Sequence, residues 1–341
     1  MTALPIVAVV GVGVTGSRVA ANLSSTRAFR IGVIDRRDDI AGTVARSIGG
    51  VIVDLDDAQA ADVAVLTMPA PHAPTAERLL GSGVAVVSMS DDVEDVDDLL
   101  GLHGHAVDAR VPLVVGAAMA PGLSGLIARF LADQLAEVDE IHVAMHGTAG
   151  PACARQHHRA LGGTAVGLHD GQWIRRPAGA GRELCWFPEP VNAYDCYRAE
   201  VPEPTLLHRV FPDVTRMTAR MSGTRRDRFT ARLPMLSPPH REGGVGGVRV
   251  EVRGALAGGE RETLVAGTSV RSGVAAAAVA ATMARWTMSA WTTPGSDDQA
   301  VPPGVMVLGD SRLPTADLLD MISASGVPLS EFTGLSRPPD G

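Results

Sequence analysis

The chain contains no lysine; all thirty of its basic residues are arginine. Arginine keeps its proton at any ordinary pH, so a lysine base or a lysine Schiff base is excluded, and proton transfer must fall to His, Asp, Glu, Tyr, Cys or water. Cysteine is scarce. Cys153, Cys185 and Cys196 are odd in number and show no metal-ligand spacing, which reads as reduced thiols in a cytoplasmic protein. Tyr194 and Tyr197 are the only tyrosines, better suited to packing a ring than to chemistry. No long hydrophobic run is present. The alanine-rich stretch 274–283 falls far short of the roughly 20 residues a membrane span needs, and no basic segment precedes the apolar N-terminal run as a signal peptide would require. Excess positive charge is also absent: the net charge of −8 argues against a nucleic-acid or anionic-membrane partner. A chain of 341 residues has room for about two domains, each with its own core.

The most informative segment that is present reads IVAVVGVGVTGSRVAA over residues 6–21. An apolar run, three glycines at positions 11, 13 and 16, and a helix-forming stretch make the dinucleotide-binding turn of a strand-turn-helix unit. Gly11 permits the tight turn, Gly13 lets the backbone approach a pyrophosphate, and Gly16 lets the helix lie close to the strand. The pyrophosphate would sit on the free N–H groups at the helix start, beside Val14 and Thr15. A second apolar run ends in Asp35, placed to accept hydrogen bonds from the adenosine ribose. Asp35 favours NAD and repels a 2′-phosphate, while Arg36 and Arg37 could pair with that phosphate, so NADP stays open.

Candidate strands at 6–10, 31–35, 51–54, 63–67, 84–88 and 113–115 alternate with helical segments, the pattern of a parallel sheet covered on both faces. Ligands bind beyond the carboxyl ends of such strands, which aligns the glycine turn, Asp35, Asp54, Met68, Pro69 and Ser88 along one edge. The acidic run at 91–95 reads as a first helical turn complementing the dipole. After residue 120 the texture changes. In 141–146, Ile141, Val143 and Met145 share one face and His142, Ala144 and His146 the other. In 214–221, Arg216 and Arg220 oppose Met217 and Met221, and 248–267 reads as a hairpin. These alternations predict an antiparallel sheet with one wetter face. The expected fold class is therefore α/β: a Rossmann-type parallel-sheet domain over 1–126, completed by a helix at 272–291, plus a second α+β domain with a mostly antiparallel sheet over 127–271. A small strand-helix unit is expected at 301–336, after a linker at 292–303. An exposed sheet of this kind often pairs across a twofold axis, so a homodimer is expected.

The pattern resembles the saccharopine dehydrogenase-like oxidoreductases, within the wider group that includes diaminopimelate and homoserine dehydrogenases. The resemblance rests on Gly11-Val12-Gly13-Val14-Thr15-Gly16 with Asp35-Arg36-Arg37, and on Gly116-Ala117-Ala118-Met119-Ala120-Pro121-Gly122-Leu123-Ser124. Gly162-Gly163-Thr164 with Asp170-Gly171-Gln172-Trp173, and Pro303-Gly304-Val305 with Ser325-Gly326-Val327, extend it. It implies a nicotinamide enzyme acting on a C–N bond of an amino-acid-like, carboxylate-bearing small molecule, by imine reduction or amine oxidation. Hydride transfer at a carbonyl or hydroxyl is the alternative, and a non-catalytic cofactor-binding sensor or scaffold the non-enzyme one. The chain departs from several relatives in having no lysine at the chemistry.

For the substrate, Pro121 to Ser124 would open a helix whose free N–H groups form an anion site, or would be a plain helix start. A helix beginning near Pro151 would carry Arg155, His157 and His158 beside His146, at the end of the preceding strand. His146 or His158 could move the proton and Arg155 could grip a carboxylate, with Arg216 and Arg220 as further candidates facing substrate or water. Adjacent helical residues point about 100° apart, so His157 and His158 cannot both face the pocket. His103 and His105 lack a second ligand group at metal spacing, and no metal is assigned.

Overall fold

The computed structural model describes residues 4–235, 238–292 and 302–332. The N-terminal part alternates strand and helix: β1 (Ile6–Val10), α1 (Val14–Ser25), β2 (Arg30–Ile34), α2 (Asp38–Ile48), β3 (Val51–Ile52), β4 (Val63–Leu66), α3 (Ala73–Gly81), β5 (Ala85–Ser88), α4 (Val93–Gly101), α5 (His103–Asp108), β6 (Pro112–Val115) and α6 (Leu123–Ala132). The second part contains β7 (Glu137–His146), α7 (Pro151–Ala160), β8 (Thr164–His169), β9 (Gln172–Pro177), β10 (Glu183–Trp186), β11 (Ala193–Arg198), α8 (Glu203–Val210), β12 (Arg216–Ser222), α9 (Arg225–Thr230), β13 (Val245–Ala255) and β14 (Arg261–Arg271). The chain closes with α10 (Ser272–Thr292), β15 (Gly304–Val307), α11 (Thr315–Ala324) and β16 (Ser330–Glu331).

β1 to β6 and β15 form a seven-stranded sheet in the order β15-β6-β5-β4-β1-β2-β3, every neighbouring pair parallel. Its short strands are almost wholly Val, Ala, Leu and Ile because both faces are buried. Alternate residues feed different layers: Val7, Val9, Val63 and Val65 pack into the core that includes α1 and α10, whereas Ala8, Val10, Ala64 and Leu66 pack against α3, α4 and α5. The alanines of α10, buried from Ala275 to Ala281, let it lie close along α1, β4 and β5. The strand order reverses direction between β1 and β4, which is where open parallel sheets make a ligand crevice.

The closing strand and helix differ from their expected separateness. β15 pairs with β6 from Gly304↔Pro112 to Val307↔Val115, so it is the seventh strand of the first sheet. Its Gly-Val-Met-Val is fully buried and could not exist as an independent unit. The expected linker and the end of the expected C-terminal unit lie largely outside the described residues.

The second sheet runs β10-β11-β12-β7-β13-β14-β16, with β8 and β9 attached off β12. It is antiparallel except that β12 runs parallel to β7. Ile141, Val143, Met145, Met217 and Met221 face the helical core, where they join α6. His142, Ala144 and His146 take the opposite face, as the alternation predicted. Among the described residues no helix is long and apolar enough to cross a membrane.

Candidate active site

The carboxyl end of β1 leads into the glycine turn. Gly11 has φ +90°, and a Cβ there would lie 2.6 Å from the Met68 backbone nitrogen, so only glycine fits both the torsion and the space. A Cβ on Gly16 would strike the Gly11 carbonyl oxygen and Thr67 Oγ1; its absence lets α1 start against the strand. Gly13 caps α1 without a side-chain hydrogen bond, and nothing lies within 4 Å of where its Cβ would be. That open space stands directly before the unpaired N–H groups of the helix start, beside Val14 and Thr15, as a pyrophosphate requires.

At the end of β2, Asp35 is clamped. It accepts from Val12 N at 3.0 Å, from Arg37 N at 3.0 Å and from Arg37 Nε at 3.0 Å, with its side chain 7% exposed. Burial opposes its charge, but the Arg37 hydrogen bonds and charge and the Val12 N–H hold the carboxyl below the usual range. Asp35 is thus a fixed anion beside the glycine turn, and Arg36 next to it is exposed. Asp54 is exposed at the sheet edge, where Oδ1 accepts from Asp57 N at 2.7 Å; its carboxylate holds a local turn.

The ends of β4, β5 and β6 correct several expectations. Met68 abuts Gly11, and Pro69 is exposed beyond it. Ser88 is fully buried; its hydroxyl lies 2.8 Å from His72 Nδ1 while His72 Nε2 lies 2.7 Å from the Met68 carbonyl. Only an Nε2–H can donate to that carbonyl, so Nδ1 accepts from Ser88. Burial lowers the His72 pKa, consistent with this neutral ring. Ser88 therefore anchors the β4–α3 turn from inside, and its side chain does not face the crevice. Pro121 follows a cis peptide bond and precedes the helix, which starts at Leu123 after Gly122 with φ +130°. The N–H groups of Leu123 and Ser124 are taken by the carbonyls of Ala118 at 2.9 Å and Met119 at 3.2 Å, and Ser124 is buried. The expected anion site at this helix start is absent because the tight 118–122 turn folds its own carbonyls onto those donors.

The second domain meets the crevice through the β7–α7 connection. A Cβ on Gly150 would touch Val14 Cβ at 3.2 Å, so the entry to α7 rests on the first turn of α1. Gln156 Nε2 donates to Asp92 Oδ2 at 2.9 Å and pins α7 to the loop after β5. One turn of α7 then presents Cys153 and His157 together, with Sγ 3.6 Å from Nε2. Asp91 Oδ2 lies 3.7 Å from the same Nε2. Burial raises the Asp91 carboxyl, and the neighbouring His157 charge pulls it back. For His157, burial opposes the charge, but Cys153, Asp91 and Glu203 pull its pKa up to about 9.

Glu203 completes the group. It opens α8 between two prolines and is 1% exposed, and neither carboxylate oxygen has a hydrogen-bond partner among the described residues. Burial pushes it up to about 7, partly offset by the His157 charge. It lines a small cavity with Gly116, Pro121 and Gly122, at the carboxyl end of β6. An unpaired buried carboxyl is costly.

The histidines and arginines favoured by sequence go elsewhere. His158 Nε2 donates to the carbonyls of Thr230 at 2.9 Å and Leu233 at 3.1 Å, tying α7 to the segment after α9. His146 lies on the sheet face away from the helices, with Nδ1 2.8 Å from Ser222 Oγ and its ring 4.0 Å from that of Tyr194; burial lowers its pKa. Arg155 is exposed on the side of α7 opposite Cys153 and His157. Arg216 pairs with Glu140 at 3.6 Å and Asp170 at 3.4 Å, and Arg220 with Glu183 at 2.6 Å, so both serve the polar face of the second sheet. The polar side chains that meet beside the crevice are Asp91, Cys153, His157 and Glu203. The i, i+4 spacing of Cys153 and His157 was a usable signal; nothing in the sequence announces the burial of Glu203.

No known family's sequence profile matches the chain, and no curated protein matches it in sequence. Solved structures do match in fold. Apo saccharopine dehydrogenase (L-Glu forming) from Saccharomyces cerevisiae is 14% identical, with 96% of this chain and 99% of that one covered and a TM-score of 0.71. A mutant meso-dapdh with DAP from Clostridium tetani E88 is 15% identical, with 92% and 95% covered and a TM-score of 0.51. At these identities the likeness establishes the fold, which is the one implied by the resemblance in sequence.

Proposed function

We propose that the chain is an NAD-dependent oxidoreductase that oxidises an amine or reduces the corresponding imine. The observation that carries this reading is the cradle at the end of β1, where Gly13 leaves open the space a Cβ would fill before a helix start, with the anionic Asp35 alongside. The fold shared with saccharopine dehydrogenase and meso-dapdh supports the C–N assignment. The N–H groups at Gly13, Val14 and Thr15 would hold the pyrophosphate, and Asp35 the adenosine ribose. When bound, the nicotinamide gives or takes the hydride. The fixed charge of Asp35 disfavours a 2′-phosphate, which favours NAD over NADP.

The protein's own groups manage the proton and the substrate charge. Glu203, buried at the end of β6 with both oxygens unpartnered, holds the proton that a substrate nitrogen gains or loses. The carboxyls of Asp91 and Glu203 both act on His157 and raise its pKa. Such a site suits a substrate bearing a cationic nitrogen better than one gripped through its carboxylate. Because the chain has no lysine, this carboxyl does the work that a lysine does in other enzymes of this chemistry.

The test is a turnover panel. Primary and secondary amines with NAD, and the matching carbonyl compounds plus amine with NADH, are followed by nicotinamide absorbance, with simple alcohols and ketones as the competing class. Turnover with a member of the amine-imine set is expected. Turnover confined to alcohols or ketones contradicts the C–N assignment, and tight cofactor binding without any turnover favours a sensor.

A further inference from the structure

Cys153, His157 and Asp91 are arranged as a chelate and not as a relay. In a Cys-His-Asp relay the thiol and the carboxylate occupy different ring nitrogens. Here Cys153 Sγ, at 3.6 Å, and Asp91 Oδ2, at 3.7 Å, both converge on His157 Nε2, and all three ligand atoms lie within 4.8 Å of one another. Zinc held tetrahedrally by sulfur at about 2.3 Å and imidazole nitrogen at about 2.0 Å sets those two atoms about 3.5 Å apart. The nitrogen-to-oxygen edge of the same tetrahedron is about 3.3 Å, a few tenths of an ångström from the separation found.

We propose that Asp91, Cys153 and His157 form a zinc site at the nicotinamide end of the crevice, with a fourth coordination position left for water or a substrate atom. Thiolate and carboxylate supply two negative charges against the dication, and a soft S,N,O set selects zinc over magnesium or calcium. Three protein ligands with an open position are the pattern of a catalytic site. The two ligand-bearing segments are held together next to the ligands themselves, because Gln156 adjoins His157 and donates to Asp92, which adjoins Asp91. The buried Glu203, whose carboxyl oxygens have no hydrogen-bond partner among the described residues, is a second, independent feature beside the cluster. Binding would displace the Cys153 thiol proton and any proton on His157 to solvent, leaving zinc in their place. The metal site stands on its own geometry, whereas its role in turnover rests on the oxidoreductase reading.

Purified full-length protein is stripped with chelator, loaded with zinc and, in parallel, with cobalt(II). Metal per chain is measured by mass spectrometry, and the cobalt form is scanned for a thiolate-to-metal charge-transfer band. One tightly held zinc per chain and a charge-transfer band are expected. Cys153→Ser abolishes the band, Asp91→Asn and His157→Gln each weaken zinc binding by at least about 10-fold, because losing a ligand costs no less than losing the partner that orients one, and Cys185→Ser, a buried thiol elsewhere, changes nothing. If Cys153→Ser fails to fold by circular dichroism, the other two variants carry the comparison. Folded wild type without stoichiometric metal, or a band that survives Cys153→Ser, overturns the site. Zinc uptake by protein that fails to bind NADH supports the site and removes the oxidoreductase reading, so the two fail separately.

Discussion

Valine in place of Gly13 leaves the protein folded and weakens NADH binding on the order of 10- to 100-fold, the equivalent of an overpacking cost of about 1–3 kcal/mol. The reason is specific to this position. Nothing lies within 4 Å of the Gly13 Cβ site, and its φ of −68° is open to any L-residue, so the empty protein accommodates the side chain at about 1 kcal/mol or less, the difference between helix-capping residues. The same side chain occupies the volume in which the pyrophosphate must approach the backbone. Gly16 gives the opposite result, because its Cβ would collide with the Gly11 carbonyl and Thr67 and the fold itself would suffer. Calorimetric or fluorescence titration with NADH, beside a thermal melt, separates the two. Equal affinity in wild type and Gly13→Val would place the cofactor elsewhere.

Glu203→Gln lowers kcat by about 100-fold or more, the usual weight of a positioned acid or base, with NADH affinity unchanged and Tm equal or higher. Structural and chemical roles diverge here. A carboxyl that is 1% exposed, with neither oxygen partnered among the described residues, is a burden on the folded state whenever it ionises, so its isosteric neutralisation does not destabilise. Its loss removes the proton carrier at the end of β6. Glu203→Asp, which keeps the acid but shortens it, recovers part of kcat. A residue needed only for packing would lose Tm and leave kcat per folded molecule intact. That outcome would move the proton to Asp91 or to water.

What sequence could show of this molecule follows from the range of the interactions involved. The glycine turn, the apolar strands and Asp35 are local signals: tight turn, buried sheet and strand-end acid each declare themselves within a few residues. The alternation in 141–146 likewise set the buried and polar faces of β7. The substrate side depends on contacts between distant segments. His146 and His158 are chemically plausible in isolation, but Ser222 and Tyr194 engage one, and the carbonyls of Thr230 and Leu233 engage the other. Arg216 and Arg220 share one face, as the alternation predicts, and what a sequence does not display is the facing acids Glu140, Asp170 and Glu183. Conversely, the acidic run after β5 resembles an ordinary helix start, and Asp92 does accept from Glu94 N and Asp95 N as an N-cap. Its neighbour Asp91 meets His157 across the contact between this loop and α7. The start of α6 failed for a local reason that hydropathy cannot register, a turn at 118–122 whose carbonyls fill the donors beyond it.

A fluorescence titration of the wild-type protein with NADH and NADPH tests whether the crevice beyond β1 and β2 binds a nicotinamide dinucleotide. Saturable binding, tighter for NADH and weakened by Asp35→Ala, is the predicted result. Binding of neither nucleotide by folded protein would contradict the account and leave this fold in another use.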